Sequence, residues 1–206
     1  MDYLTLTREK YLAYHQTLAG NDFKFSKVAI GMWDFMKGWD KWPPRALVRG
    51  EDIVNVCFMK LSNQAQTKVL FISNILTPSA HRGQGHAREM LDRNILEAVA
   101  EGASTMRMDC NQKALPFYDA LGFSYWGTTI ERSMFFDLPV DGEGIEGIWK
   151  YRNQGASEIL DSYGDKLRTA KVKWIAKKVR KHEDFDYGHP SRYGEFVRIR
   201  QRELGS

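Results

Sequence analysis

The sequence predicts an α+β (α/β) domain over residues 1–138, a linker over 139–154 and a helical basic extension over 155–206. Three observations carry this division. Short runs of alternating or continuous apolar residues are interleaved with runs at helical spacing. One of them, residues 69–76 (VLFISNIL), is apolar almost throughout and reads as a central strand. The stretch 139–147 (PVDGEGIEG) holds three glycines and no periodicity, which marks a linker.

In chain order, residues 3–6 alternate as a strand, and Thr7 is a suitable cap for a helix that runs to Leu18 and stops at Gly20 and Asn21. The aromatic segment 31–38 reads as a short second helix, ended by Trp42, Pro43 and Pro44. Residues 47–49 and 53–61 flank a Gly50-Glu51-Asp52 turn as a hairpin, and the strand 69–76 follows, ending at Thr77 and Pro78. Beyond a glycine-bearing segment, Met90, Leu91, Ile95, Leu96, Val99 and Ala100 recur at helical spacing. Residues 105–109 alternate as a strand, 113–121 form a helix closed by Gly122, and two strands follow near 123–126 and 133–138.

Composition removes several function classes. No apolar run approaches the roughly 20 residues that span a bilayer, and the first residues do not have a secretory pattern, so the expected location is cytoplasmic, with no membrane partner. Cys57 and Cys110 are too few for a disulfide framework or a zinc knuckle; each reads as a small buried hydrophobe. The formal charge is +4. Residues 1–138 contribute +1 of it and residues 139–206 contribute +3, so the excess sits mainly in the extension.

The chemistry is concentrated in residues 75–91 (ILTPSAHRGQGHAREML), where a strand runs into a short glycine loop that opens a helix. Small residues let backbone N–H groups approach an anion closely, and the helix N-terminus adds partial positive charge. Arg82 can reinforce such a phosphate site; a plain tight turn would also use Gly83 and Gly85. Arg82, Gly85 and Ala87 match the Arg/Gln-x-x-Gly-x-Gly/Ala acyl-CoA signature, and Asn111, Ala114, Tyr118, Gly122 and Phe123 follow in register with a second segment. With both motifs in order, residues 1–138 resemble the GNAT superfamily of acetyl-CoA-dependent N-acetyltransferases, and the extension lies outside the resemblance.

The resemblance implies a GNAT-type mixed, mostly antiparallel sheet flanked by helices, with acetyl-CoA or another acyl-CoA as cofactor. It implies pyrophosphate binding by the backbone of Arg82, Gly83, Gln84, Gly85, His86 and Ala87, and pairing of the pantetheine arm with the backbone of Ile75, Leu76 and Thr77. An amide there would face the developing negative charge on the thioester oxygen. Tyr118 would protonate the departing thiolate, the other reading being a core tyrosine packed under Phe123. Asn111 would bond the pantetheine arm, cap the helix 113–121, or do both.

Base candidates are Asp109, Ser73, Asn74 and Glu51, and strict strand alternation would turn either Ser73 or Asn74 away from the substrate. His81 and His86 could touch a phosphate or adenine, or stand as exposed loop residues without a role. No Cys or carboxylate cluster completes a metal site around them.

For the acceptor, Trp33, Phe35, Met36, Trp39 and Trp42 crowd the segment that borders the acceptor groove in similar enzymes, so Trp33, Asp34, Trp39, Ser73 and Asn74 are the groove candidates. The same aromatics could simply pack helices onto the sheet. Lys166, Arg168, Lys171, Lys173, Lys177, Lys178, Arg180 and Lys181 follow one another with no acid between them. Val172, Ile175, Ala176 and Val179 would give that basic helix an apolar stripe, and Arg198, Arg200 and Arg202 extend the charge. Two classes result: an N-acyltransferase acting on an amine-bearing acceptor, or a nucleic-acid-directed protein of the same fold, including Mom-like base modification, with the basic run as the nucleic-acid contact. A homodimer is compatible with either.

Overall fold

The computed structural model describes residues 1–64, 67–111, 114–123, 125–128 and 134–152, together with 159, 161–165, 168 and 169. Seven strands form one sheet in the order β1-β2-β3-β4-β5-β7-β6. They are β1 (Asp2–Thr5), β2 (Arg45–Arg49), β3 (Asp52–Gln64), β4 (Thr67–Leu76), β5 (Ala103–Cys110), β6 (Tyr125–Thr128) and β7 (Met134–Pro139). Neighbours pair antiparallel except β4 and β5, which are parallel because a helix, α4 (His86–Ala100), crosses over between them. The mixed, mostly antiparallel sheet is the fold class expected from the sequence, and β4 is its middle strand.

Alternation along β3 explains why helices cover both faces. Cys57 and Met59 join Leu70, Ile72 and the α4 residues Met90, Leu91, Ile95 and Ala98 in one core. Val56 and Phe58 join Leu6, Tyr11, Ala29 and Trp33 in the other. Tyr11 comes from α1 (Arg8–Thr17), whose cap Thr7 accepts the Lys10 N–H at 3.2 Å, as its position predicts.

Two local expectations are corrected. The second helix is neither short nor confined to 31–38: after Leu18 and Ala19 in extended conformation, Gly20 opens α2 (Gly20–Phe35), which a short α3 (Gly38–Lys41) follows. The buried stripe of α2 is Asp22, Ser26, Ala29 and Trp33, so its first two turns bury polar residues. Ser26 Oγ lies 2.7 Å from Tyr11 Oη and 2.9 Å from His15 Nδ1, which satisfies that buried hydroxyl. Meanwhile Phe25, Val28 and Phe35 are exposed, and this inversion hides the helix from hydrophobic periodicity.

The described part of the expected linker, residues 139–152, is not irregular throughout, because it contains α6 (Ile145–Trp149). Ile145 and Ile148 belong to the α4-side core, and the Ile145 N–H donates to Asp92 of α4 at 2.8 Å. At Gly147 an added Cβ would displace the Asp141 carboxylate, which packs against this glycine. Further on, Ile159 is buried, and Tyr163 donates to Asp137 of β7 at 3.1 Å. Ile159 and Tyr163, both within the expected extension, therefore lie against the sheet and its core. Arg168 pairs with Asp161 at 2.9 Å. The rest of the predicted basic helix, Lys166 and Lys171 to Lys181 with Arg198, Arg200 and Arg202, lies outside the described residues.

Candidate active site

The central strand pair opens into a fork. β4 and β5 pair as far as Ile72 and Met108, after which β4 runs on to Leu76 and β5 to Cys110 with no further pairs between them. Two local features spread them. Phe58 pairs Asn74 while the next residue, Met59, pairs Ile72, so Ser73 is the extra residue of a bulge that bends β4. On the other side, Asn111 ends β5, and its Oδ1 accepts the Ala114 N–H at 3.0 Å, turning the chain into α5 (Leu115–Ala120).

Between the arms lies a cleft of about 780 Å³. Its walls include Ser73, Asn74, Ile75, Leu76 and Thr77 of β4 and its end, Asp109 and Cys110 of β5, and Asn111 and Tyr118. Arg82, Gly83, Gly85, His86 and Ala87 line it from the loop and α4. From residue 73 onward β4 keeps its pairing with β3 but offers its other edge to the cleft. Such an edge can hydrogen-bond an extended amide-bearing chain. The bulge also corrects the alternation argument, since both Ser73 and Asn74 reach the cleft. Asn74 Nδ2 is buried without a partner, a donor that a bound molecule could satisfy.

At one end of the cleft the chain passes through a 3₁₀ turn, Ser79–His81, and then Gly83 and Gly85, both at positive φ (76° and 80°). Gly85 is the N-cap of α4 and supplies no side-chain acceptor, so the first N–H groups of the helix are free for an anion. Arg82 is not a free cation there. It pairs with Asp22 of α2, and its Nε donates to the Thr77 carbonyl at 3.1 Å. Gln84 does not line the cleft; its side chain contacts Ala80 and Arg49. Thr77 is itself held by Asn55, whose Nδ2 donates to Thr77 Oγ1 at 2.7 Å.

His86 is a buried residue at the start of α4, with only 4% of its surface exposed, rather than an exposed loop histidine. Both of its ring nitrogens are buried without partners. Burial first, then the charges of Arg49 and His81, hold its pKa below the usual histidine value, so the ring is neutral. His81 is half-exposed, with Nδ1 3.5 Å from Arg49 Nη2.

Tyr118 projects from α5 between Phe117, Phe123 and Phe136, with ring centroids 4.9, 5.5 and 5.5 Å away. It is therefore both a core tyrosine and a cleft residue. Burial, reinforced by Cys110 and Cys57, raises its pKa well above the usual tyrosine value, so its hydroxyl is a proton donor at neutral pH. Cys110 is pushed up to about 12 by burial and then by Asp109, which makes it a poor nucleophile.

The aromatic acceptor wall is not where the sequence placed it. Trp33 is fully buried, donates Nε1 to the Trp42 carbonyl at 3.1 Å, and packs edge-on against Phe58. Asp34 pairs with Arg8 at 3.0 Å and accepts from Trp39 Nε1 at 2.6 Å. None of Trp33, Asp34 and Trp39 lines the cleft. The α2 residues that do are Asn21, Asp22 and Phe25, which sequence reasoning missed because it did not extend a helix that far. Glu51 sits in the β2–β3 turn, away from the cleft.

A family model described as "Acetyltransferase (GNAT) family" matches residues 14–123, just over half of the chain. The chain belongs to the GNAT acetyltransferase family. An acetyltransferase from Thermus thermophilus superposes with a TM-score of 0.55 at 19% identity, over 68% of this chain and 96% of that one. A GNAT-family acetyltransferase from Desulfovibrio desulfuricans gives 0.53 at 11% identity, over 68% and 99%. A bacterial toxin gives 0.52 at 14% identity, over 74% and 96%. At these identities the likeness shows the fold alone. No curated protein matches the sequence. GNAT membership makes the chain an acyltransferase that takes acetyl-CoA, with an amine as acceptor. The forked strands, the uncapped helix start and the orphaned Asn74 amide fit such a cofactor. Among the described residues no helix is long and apolar enough to cross a membrane, and no cluster of three or more metal-ligating residues occurs.

Proposed function

We propose that this GNAT protein transfers an acetyl group from acetyl-CoA to a primary amine by direct attack on the thioester, in the cleft between β4 and β5. The observation that carries the reading is the convergence on that cleft of an unpaired β4 edge, an uncapped helix start and the protonated Tyr118. Bound there, the cofactor supplies an activated acyl carbonyl and a thiolate leaving group.

The chain's own part divides along the cleft. Backbone groups of Ile75, Leu76 and Thr77 orient the pantetheine arm, while N–H groups from Gly83 to Ala87 hold the pyrophosphate. Because Arg82 is already bound to Asp22 and Thr77, the phosphate contact rests mainly on the backbone. Tyr118 donates its hydroxyl proton to the leaving sulfur. Of the base candidates, Asp109 is the ionisable side chain on the cleft wall, and it takes the proton from the attacking amine, directly or through water. Phe25 beside Asn21 gives the α2 side of the cleft an apolar contact for the acceptor.

The nucleic-acid alternative loses Trp33 as a stacking surface, since that ring is inside the core. Incubation with labelled acetyl-CoA and an amine panel of polyamines, peptides and aminoacyl-RNA tests the proposal. Labelled amine that depends on Tyr118 supports it; turnover of acetyl-CoA without any labelled amine overturns it.

A further inference from the structure

We infer that Asp22 is a positioning residue for the cofactor loop, and this rests on the reading of the cleft as the acetyl-CoA site. Asp22 lies at the start of α2, far in sequence from the loop it touches. With about 7% of its surface exposed, its carboxylate accepts the Ser79 N–H at 2.8 Å on Oδ2 and pairs with Arg82 through Oδ1. The same guanidinium donates to the Thr77 carbonyl at 3.1 Å. One carboxylate thus ties together the end of β4, the 3₁₀ turn and the residue that leads into Gly83 and Gly85.

Asp22 is well placed to hold a loop still because its own helix is fixed. The next residues of its stripe, Ser26, Ala29 and Trp33, are all fully buried, and Ser26 is bonded to Tyr11 and His15 of α1. The Gly83 to Gly85 segment has the opposite character: two glycines at positive φ have wide conformational freedom, and an added Cβ at either would meet nothing within 4 Å. Packing at the glycines therefore does not order the segment; hydrogen bonds do, through Asp22 and Arg82 at its entrance and through the longer, exposed Gln84 contacts with Arg49 and Ala80 within it. A donor array aimed at an anion is effective when its geometry exists before the anion arrives.

A competing account makes Asp22 a brake that neutralises Arg82 and lowers its attraction for phosphate. The two accounts predict opposite signs. If Asp22 positions the loop, Asp22→Asn weakens CoA binding by about tenfold or more, the size expected for losing a charge-assisted hydrogen bond. If it is a brake, the variant binds CoA more tightly.

The experiment is a calorimetric titration of CoA into the full-length wild type and Asp22→Asn, with hydrogen exchange of both proteins before ligand is added. The expected result is weaker CoA binding together with faster exchange confined to residues 77–88. Arg82→Ala, which removes the other partner from a side chain 58% exposed, should reproduce the effect and keeps the test available if Asp22→Asn does not fold. Unchanged or tighter CoA binding overturns the inference, and so does faster exchange spread across β3 and the whole of α4, which would mean general loosening. Wild type that fails to bind CoA would defeat the cleft reading itself, a separate outcome.

Discussion

Replacing Tyr118 by Phe removes one oxygen and leaves the ring. The ring holds the packing: its centroid lies 4.9 to 5.5 Å from Phe117, Phe123 and Phe136, and all three contacts survive the change. The hydroxyl has no hydrogen-bond partner among the described residues, so its loss should alter stability by no more than about 0.5 kcal/mol. Tyr118→Ala, by contrast, would open a cavity and cost about 3–5 kcal/mol. Catalysis should respond in the opposite way. Loss of a general acid costs roughly 10²–10⁴-fold in rate, or about 3–5.5 kcal/mol in the barrier. Because burial raises the Tyr118 pKa above its ordinary value near 10, its proton should stay in place and cause no loss of rate up to about pH 10. The assay is release of free thiol from acetyl-CoA with an accepted amine, alongside CoA titration and thermal unfolding. A Phe variant that turns over at the wild-type rate would remove Tyr118 from the mechanism.

Three further changes probe other parts of the molecule. Gly85→Ala places a Cβ at φ +80°, with an expected stability cost of about 1–2 kcal/mol and at least tenfold weaker CoA binding; thermal unfolding and calorimetry check both, and unchanged affinity would move the pyrophosphate elsewhere. His86→Leu tests the buried neutral imidazole. Its folded-state pKa lies below its unfolded value near 6.5, so the unfolded chain takes up the proton first and wild-type stability falls as pH drops through that value. The Leu variant lacks this loss, so its urea midpoint should gain on wild type from pH 7 to pH 5, and parallel curves would refute the assignment. Asp137→Ala removes the fully buried carboxylate that bonds Arg107 at 2.6 Å and Tyr163 at 3.1 Å; denaturant unfolding should show a loss of about 3–5 kcal/mol, and a loss below about 1 kcal/mol would show that the pair does not stabilise the sheet.

What could be read from the sequence was local. The strand 69–76, the loop with Gly83 and Gly85, and helix α4 are consecutive, so periodicity and glycine placement were enough to bring them together. Thr7 as a cap and Asn111 before α5 were legible for the same reason. Features that depend on distant partners were not. Asp22 is one aspartate among many until α2 is seen to carry it to Ser79 and Arg82. The bulge at Ser73 is set by the register with β3, and it is what brings Ser73 and Asn74 to the same cleft. The tryptophan cluster was misleading because aromatic content does not say which way a side chain faces: Trp33 and Phe58 build a core, while Phe35, close by in sequence, is 88% exposed. Glycines 142, 144 and 147 resembled a linker, but Ile145 and Ile148 beside them are packed in the α4-side core.

The most direct test is calorimetric titration of acetyl-CoA into the full-length protein, with S-adenosylmethionine and free nucleotides as controls. The cleft between β4 and β5 predicts saturable binding of one acetyl-CoA per chain, weakened by Gly85→Ala and retained by Tyr118→Phe. Absence of binding to a folded wild-type protein, or equal binding of the controls, would contradict it.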